Sequence, residues 1–177
     1  MKLFLTGNPG VGKTTLIRAI AERLEGIRCA GFYTEEIRRS GRRTGFSVVT
    51  LDSRKATLAS LGTQKPTVSK YSVHVKEFEK LALPVLDPVE TPADLYVIDE
   101  IGKMELLSRP FRSMIGDLLD QPANILATIS KKGDGFVNQI KRRRNVEVIE
   151  VTRNNRHELV EKLARRINVE ASPGQAV

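Results

Sequence analysis

Residues Gly7-Asn8-Pro9-Gly10-Val11-Gly12-Lys13-Thr14 fit the pattern G-x-x-x-x-G-K-[ST], and the short apolar run Lys2–Thr6 leads directly into them. Leu16, Ile17, Ile20, Ala21 and Leu24 follow on one face of an amphipathic helix, with Gly26 as a stop. Strand, glycine loop and helix in that order make an anion site. The glycines let the backbone turn through positive φ and bring its N–H groups toward a ligand. The helix start adds unpaired N–H donors and the positive end of its dipole. Lys13 supplies a mobile charge for β/γ-phosphates, and the Thr14 hydroxyl is placed to ligate Mg²⁺. Residues 7–15, ending at Thr15, are therefore read as a nucleotide-binding loop.

A second feature fits the first. Leu95-Tyr96-Val97-Ile98-Asp99-Glu100 is an apolar strand that ends in two acids. In a parallel sheet the strand C-termini share one edge, where ligands bind. Asp99 is assigned to magnesium, held through its water shell, and Glu100 to orienting or deprotonating an attacking water. A carboxylate beside the metal ligand favours hydrolysis. Glu35 and Glu36, after the second apolar run, are candidates for holding a phosphate acceptor, which keeps a kinase reading open.

The remaining patterning is α/β. Residues 30–37 and 45–51 read as strands joined by the turn Arg39-Ser40-Gly41-Arg42-Arg43, with a further strand at 71–75. Phe78, Leu81, Ala82 and Val85 mark a helix that Pro84 bends or Pro88 ends. Phe111, Met114, Ile115, Leu118 and Leu119 mark another, with Pro110 in its first turn. Residues Ile125–Ile129 and 146–151 are strands, and Asn155 with Glu158 caps a last helix carrying Leu159, Val160, Leu163 and Ile167. The expected fold is one α/β domain over residues 1–170: a mostly parallel sheet, helices on both faces, some antiparallel strands. Residues 171–177 are read as a flexible tail.

Composition narrows the function classes. The net charge of +8 suits polyanions without choosing among them. One cysteine, Cys29, excludes an internal disulfide framework and fits a reducing cytosol. His74 and His157, with no second cysteine, argue against zinc. No apolar run approaches the roughly 20 residues of a membrane span, and no signal-peptide layout opens the chain. The expectation is a soluble cytoplasmic protein, monomeric, with no membrane partner. Nucleic acid is a disfavoured partner: aromatic content is 5%, so no stacking platform is evident.

Together with the phosphate loop through Thr15, the segments Gly31-Phe32-Tyr33-Thr34-Glu35-Glu36 and Val97-Ile98-Asp99-Glu100-Ile101-Gly102-Lys103-Met104-Glu105-Leu106 resemble a known family. It is the family of small nucleoside-triphosphatases first described from thermophiles, which has a human member called cancer-related nucleoside-triphosphatase. Gly45-Phe46, Val48-Val49-Thr50-Leu51, Leu81-Ala82-Leu83-Pro84-Val85-Leu86 and Val151-Thr152-Arg153-Asn154-Asn155-Arg156 look similar too. The resemblance spans nearly the whole chain and is loosest over residues 131–144. It implies a single RecA-like P-loop domain that slowly hydrolyses nucleoside triphosphates of any base to diphosphate and phosphate, using Mg²⁺. It maps the family's roles onto Lys13, Thr14, Asp99 and Glu100.

A triphosphatase needs positive charge on the γ-phosphate. Candidates are Lys103, a short loop away from Asp99, together with Arg109, Arg142, Arg143 and Arg144; Lys103 is the preferred one. Arg153, Asn154 and Arg156 follow the last strand and are read as base contacts, since a guanidinium plane stacks on any base. Arg38, Arg39, Arg42 and Arg43 read as a solvated hairpin tip, and Tyr33 and Phe46 as core. The reading adopted is a Mg²⁺-dependent nucleoside-triphosphatase. A small-molecule or nucleoside kinase and a nucleic-acid-associated regulatory NTPase are the alternatives.

Overall fold

The computed structural model describes residues 1–133 and 135–171. The chain enters through β1 (Lys2–Thr6), crosses the glycine loop and continues as α1 (Lys13–Ala21). β2 (Cys29–Arg39) and β3 (Arg42–Thr50) form a long hairpin, followed by β4 (Lys55–Leu61), β5 (Thr67–Val68), β6 (Tyr71–Val73) and α2 (Val75–Leu86). β7 (Leu95–Ile101) passes through a 3-10 turn (Glu105–Leu107) into α3 (Arg109–Asp120) and β8 (Ile125–Ile129). Then come α4 (Gly135–Lys141), β9 (Glu147–Glu150) and α5 (Arg156–Glu170).

The nine strands seen among the described residues form one sheet in the order β5-β6-β4-β3-β2-β7-β8-β1-β9. From β2 to β9 all neighbours run parallel; from β2 out to β5 all run antiparallel. The sequence reading of a mostly parallel sheet with some antiparallel strands thus becomes an even division. The difference comes from β4 and β5, which were not anticipated. β4 is Lys-Ala-Thr-Leu-Ala-Ser-Leu, small and polar, and only Leu58 and Ala59 in it are buried. Its hydrophobic signal is too weak to read in isolation.

The central strands are apolar throughout because both faces are covered. Phe4, Ile98 and Ala127 face α2 and α3, while Leu3, Leu5, Val97 and Leu126 face α1 and α5. On the first side Phe32, Phe78 and Phe111 pack as a ring cluster, with centroids 5.1–6.0 Å apart. Gly31 lets β2 lie close to β7: a Cβ there would stand 1.9 Å from the Val97 carbonyl oxygen, and its φ is +122°.

Three local expectations are adjusted. Pro84 lies inside α2, near its end, and Pro88 falls beyond it. Asn155 does occupy the N-cap of α5, but its side chain makes no cap bond. Oδ1 instead accepts from Thr152 N at 2.8 Å and Nδ2 donates to Glu150 O at 2.9 Å, so it ties the preceding loop to β9. Ala171, grouped by the sequence with the tail, is buried beside Ile167 and Leu163; residues 172–177 lie outside the described residues.

Candidate active site

The loop between β1 and α1 takes the shape that its glycines permit. Gly12 is the N-cap of α1 at φ 99°, a left-handed conformation closed to most side chains, and Gly10 stands at φ 74°. This aims the first turn of α1 at the carboxyl edge of the sheet. Lys13 Nζ curls back and donates to Gly7 O at 3.2 Å. That is a long, half-exposed bond that an anion can replace.

β8 sits between β1 and β7, so the two motifs meet across it. Asp99 is 1% exposed at the C-terminal end of β7. Thr14 Oγ1 donates to its Oδ2 at 2.7 Å, and Thr128 Oγ1, from β8, donates to its Oδ1 at 2.6 Å. The Thr34 N–H and hydroxyl, from β2, stand 3.4 Å from Oδ2. Two strands and a helix start therefore supply hydroxyls to one buried carboxylate on a third strand. The Asp99–Glu100 peptide is cis.

Glu100 is half-buried and accepts from Ser130 Oγ at 3.2 Å. Desolvation raises its pKa above the ordinary carboxylate value; Lys13 pulls it back down, and Asp99 adds to the rise. Beneath it lies Glu105, buried, whose carboxyl is pushed up to about 8 by burial first and then by the charge of Glu100. Gly102 allows this crowding. A Cβ there would stand 3.1 Å from Glu105 Oε2 and 3.2 Å from both Glu100 Oε1 and Ser130 Oγ.

Two clefts meet at the loop and share Gly12 and Thr15 as lining. The smaller, about 360 Å³, lies between α1 and α5 and is bounded by Leu16, Arg156, His157 and Val160. The larger, about 980 Å³, runs from residues 7–15 along the sheet edge past Glu100, Lys103 and Ser130 to Thr34, Glu36, Arg43 and Phe46. Both volumes fall in the range of small-molecule sites.

All of residues 7–15, Glu100 and Lys103 border one cleft or other except Val11, whose buried side chain anchors the loop, while Asp99 is reached through Thr14. Arg156 reaches the loop: its Nη1 is 3.5 Å from Val11 O and would lie 3.4 Å from a Cβ at Gly12. Arg153 and Asn154 are exposed and line neither cleft. Of the five proposed charge stabilisers, only Lys103 borders the large cleft. Arg143 is paired with Asp120 at 2.6 Å. Phe46, expected in the core, also lines that cleft. Glu35 pairs with Arg18 and Lys55, and Glu36 with Arg38 and Arg43.

Sequence reasoning missed Thr34, Thr128, Ser130, Lys131 and Lys132. The signal for Thr128 and Ser130 was the polar interruption of an otherwise apolar strand Ile125–Ile129 and its exit; nothing local marks Thr34.

No helix among the described residues is long and apolar enough to cross a membrane. None of the described His, Cys, Asp and Glu side chains form a cluster of three able to hold a metal alone. A magnesium ion bound with phosphates needs less: one or two protein oxygens, the rest being phosphate and water. The Thr14 hydroxyl beside the Asp99 carboxylate fits that requirement.

A family model described as NTPase matches residues 2–164. The nucleoside-triphosphatase THEP1 of Thermotoga maritima is 42% identical over 164 residues, covering 92% of this chain and 93% of that one. The human cancer-related nucleoside-triphosphatase is 44% identical, covering 89% and 92%. The crystal structure of THEP1 from Aquifex aeolicus superposes with a TM-score of 0.84 at 40% identity, over 92% of this chain and 96% of that one. The solution structure of the human protein gives 0.81 at 42%, over 96% and 98%. A match of this extent in sequence and in fold places the chain in the NTPase family.

Proposed function

We propose that the protein hydrolyses nucleoside 5′-triphosphates to diphosphate and phosphate, with Mg²⁺, slowly and with little regard to the base. The observation that carries this reading is the bond between Thr14 and Asp99, which joins the phosphate loop to the acid-ended strand. The names of the relatives support it.

In this reading the base enters the smaller cleft, against Leu16, Val160 and the Arg156 side chain. A cleft of apolar walls and one guanidinium offers stacking rather than a pattern of base-edge contacts, which supports broad specificity. The triphosphate crosses the shared lining at Gly12 and Thr15. Lys13 leaves the Gly7 carbonyl for the β/γ-phosphates, and the loop amides hold the chain of phosphates. The Thr14 hydroxyl and Asp99 would hold magnesium, which supplies charge neutralisation at the phosphates when bound.

Glu100 accepts a hydrogen bond from the attacking water and fixes it in line with the γ-phosphorus. The water oxygen forms the new P–O bond as its proton passes to the Glu100 carboxylate, and the bridging β–γ bond breaks with its electron pair going to the diphosphate. Ser130 keeps the Glu100 carboxylate in place. Lys103 offers the compensating charge. Arg18 and Arg43 border the same cleft but are committed to Glu35 and Glu36. Among the described residues no uncommitted arginine borders this cleft; without one, P-loop hydrolysis runs at about 10⁻⁴ to 10⁻³ s⁻¹, which supports slow turnover. All these groups lie on one chain, which supports action as a monomer.

The test is steady-state phosphate release from ATP, GTP, CTP and UTP, with Mg²⁺ and with chelator. Release from all four that chelator abolishes is expected. Release from none, by protein that is folded, overturns the reading.

A further inference from the structure

The ladder between β7 and β8 closes where the Ser130 N–H donates to the Ile101 carbonyl at 3.2 Å. Past that bond the chain leaves the sheet as the loop before α4. Ser130, Lys131 and Lys132, at its start, all line the large cleft. A loop beyond the last ladder bond is no longer fixed by its sheet. This one nevertheless carries the hydroxyl that donates to Glu100 Oε1 at 3.2 Å.

Its anchor is Lys141, the last residue of α4. Lys141 Nζ donates to the Ser130 carbonyl at 2.6 Å and to the Lys131 carbonyl at 2.9 Å. Among the described residues Lys141 has no carboxylate partner, so its charge is spent on two adjacent backbone carbonyls. Bonds from an ammonium are about twice as strong as those between neutral groups. The mount is firm: Val137 and Ile140 of α4 are each 1% exposed. The loop also lies close against that helix, since a Cβ on Gly133 would stand 2.5 Å from Val137 Cβ. A second tie, from Lys131 Nζ to Glu150 Oε1 at 2.6 Å, joins two exposed side chains and adds little.

The margin at Ser130 is small. Its hydroxyl bond to Glu100 is already long, and a further shift of about 1 Å breaks it. Displacements of that size, caused far from the chemistry, cost up to about a hundredfold in rate. Among the described residues Lys141 bonds to none of residues 7–15 and not to Arg156, so the parts that grip the nucleotide are separate from it.

We propose that Lys141 is a positioning residue for hydrolysis: by bridging the Ser130 and Lys131 carbonyls it holds the Ser130 hydroxyl on Glu100, and so keeps Glu100 facing the attacking water. Lys141 itself touches neither nucleotide nor water. Its removal slows the chemical step and spares nucleotide binding. This role rests on the hydrolytic reading given above.

The experiment compares Lys141→Met, which keeps the stem without the ammonium, with Lys141→Arg, Ser130→Ala and the double variant Lys141→Met/Ser130→Ala. Each is assayed for single-turnover phosphate release from ATP with Mg²⁺, and for affinity toward a non-hydrolysable triphosphate. Lys141→Met is expected to lower turnover about tenfold, with affinity within about twofold of wild type. Ser130→Ala is expected to lose a similar factor. The double variant is expected to lose no more than the larger single effect, because both changes break one relay. Lys141→Arg, which keeps a cation with two donors, is expected to recover most of the turnover. Wild-type turnover in Lys141→Met overturns the proposal. Losses that multiply in the double variant, an affinity loss as large as the rate loss, or an Arg variant as slow as the Met variant overturn it too. Should Lys141→Met fail to fold, Ser130→Ala alone decides, and wild-type turnover there overturns it. Wild-type protein that binds the triphosphate but releases no phosphate overturns the parent reading instead.

Discussion

Thr14 and Asp99 are 85 positions apart in sequence, and their side chains share a hydrogen bond of 2.7 Å. The hydroxyl spends its proton on the carboxylate, which leaves its lone pairs for a cation. Asp99→Asn places an amide where the hydroxyls of Thr14 and Thr128 now both donate. Turnover is expected to fall by about tenfold to a hundredfold, as when a group orienting a metal ligand is lost. The magnesium concentration for half-maximal activity is expected to rise. A magnesium titration of phosphate release checks this, and an unchanged curve would separate Asp99 from the metal.

Lys13 rests on a backbone carbonyl at 3.2 Å and has no carboxylate partner among the described residues, so it is ready for transfer to an anion. Lys13→Ala should weaken triphosphate binding by at least about tenfold. Calorimetry with a non-hydrolysable triphosphate measures it; wild-type affinity would move the site away from the loop.

Glu100→Gln keeps the shape of the site and removes the base. Nucleotide affinity should hold while turnover drops about tenfold to a hundredfold, the low end for a general base. Because burial raises the Glu100 carboxyl, it takes up its proton at a pH above the usual carboxylate range. Wild-type turnover should therefore decline on acidification through that raised value, and the Gln variant should lack this acid limb. A pH series of single-turnover rates distinguishes the two.

Glu105 makes a prediction about stability. Its folded pKa is raised, from 4.5 to about 8. Between those values the unfolded chain has lost this proton while the folded one keeps it, so rising pH favours unfolding. The contribution is fully present below pH 4.5 and gone once the pH passes about 8; its size is on the order of a few kcal/mol. Urea midpoints should show Glu105→Gln losing less stability than wild type between pH 5 and pH 8.

Phe78 lies at the meeting point of α2, β2 and α3, with Phe32 at 5.5 Å and Phe111 at 5.1 Å. Phe78→Ala should cost about 3–5 kcal/mol in denaturant unfolding, the range for an aromatic removed from a packed core.

The parts legible in the sequence are those whose physics is local. β1, β8 and the start of β7 are continuous apolar runs because both faces are covered, and the glycine loop requires its backbone angles wherever it occurs. The parts that were not legible depend on distant neighbours. β4 buries only Leu58 and Ala59 and is a strand because β3 and β6 flank it. Thr34 and Thr128 are ordinary hydroxyls until the strand order sets both against Asp99. Among the charge candidates, Lys103 borders the large cleft and the arginines do not, for the same reason. Arg142, Arg143 and Arg144 are conspicuous in a row, yet the fold turns them from the cleft and brings Lys131 and Lys132 there instead. Asn155 was placed correctly at a helix start, but the bond it makes is with the loop behind it.

β2 bonds to β7 along one side and to β3 along the other, parallel to the first and antiparallel to the second. It is thus the seam between two building plans. Inward of the seam, any change of register would uncouple Thr34 from the acid that it faces. Outward of it, the hairpin and the strands beyond can be lengthened, recharged or resurfaced while the hydrolytic machinery keeps its geometry. That division leaves one half of the molecule free to diverge in what it recognises and the other bound to preserve what it does.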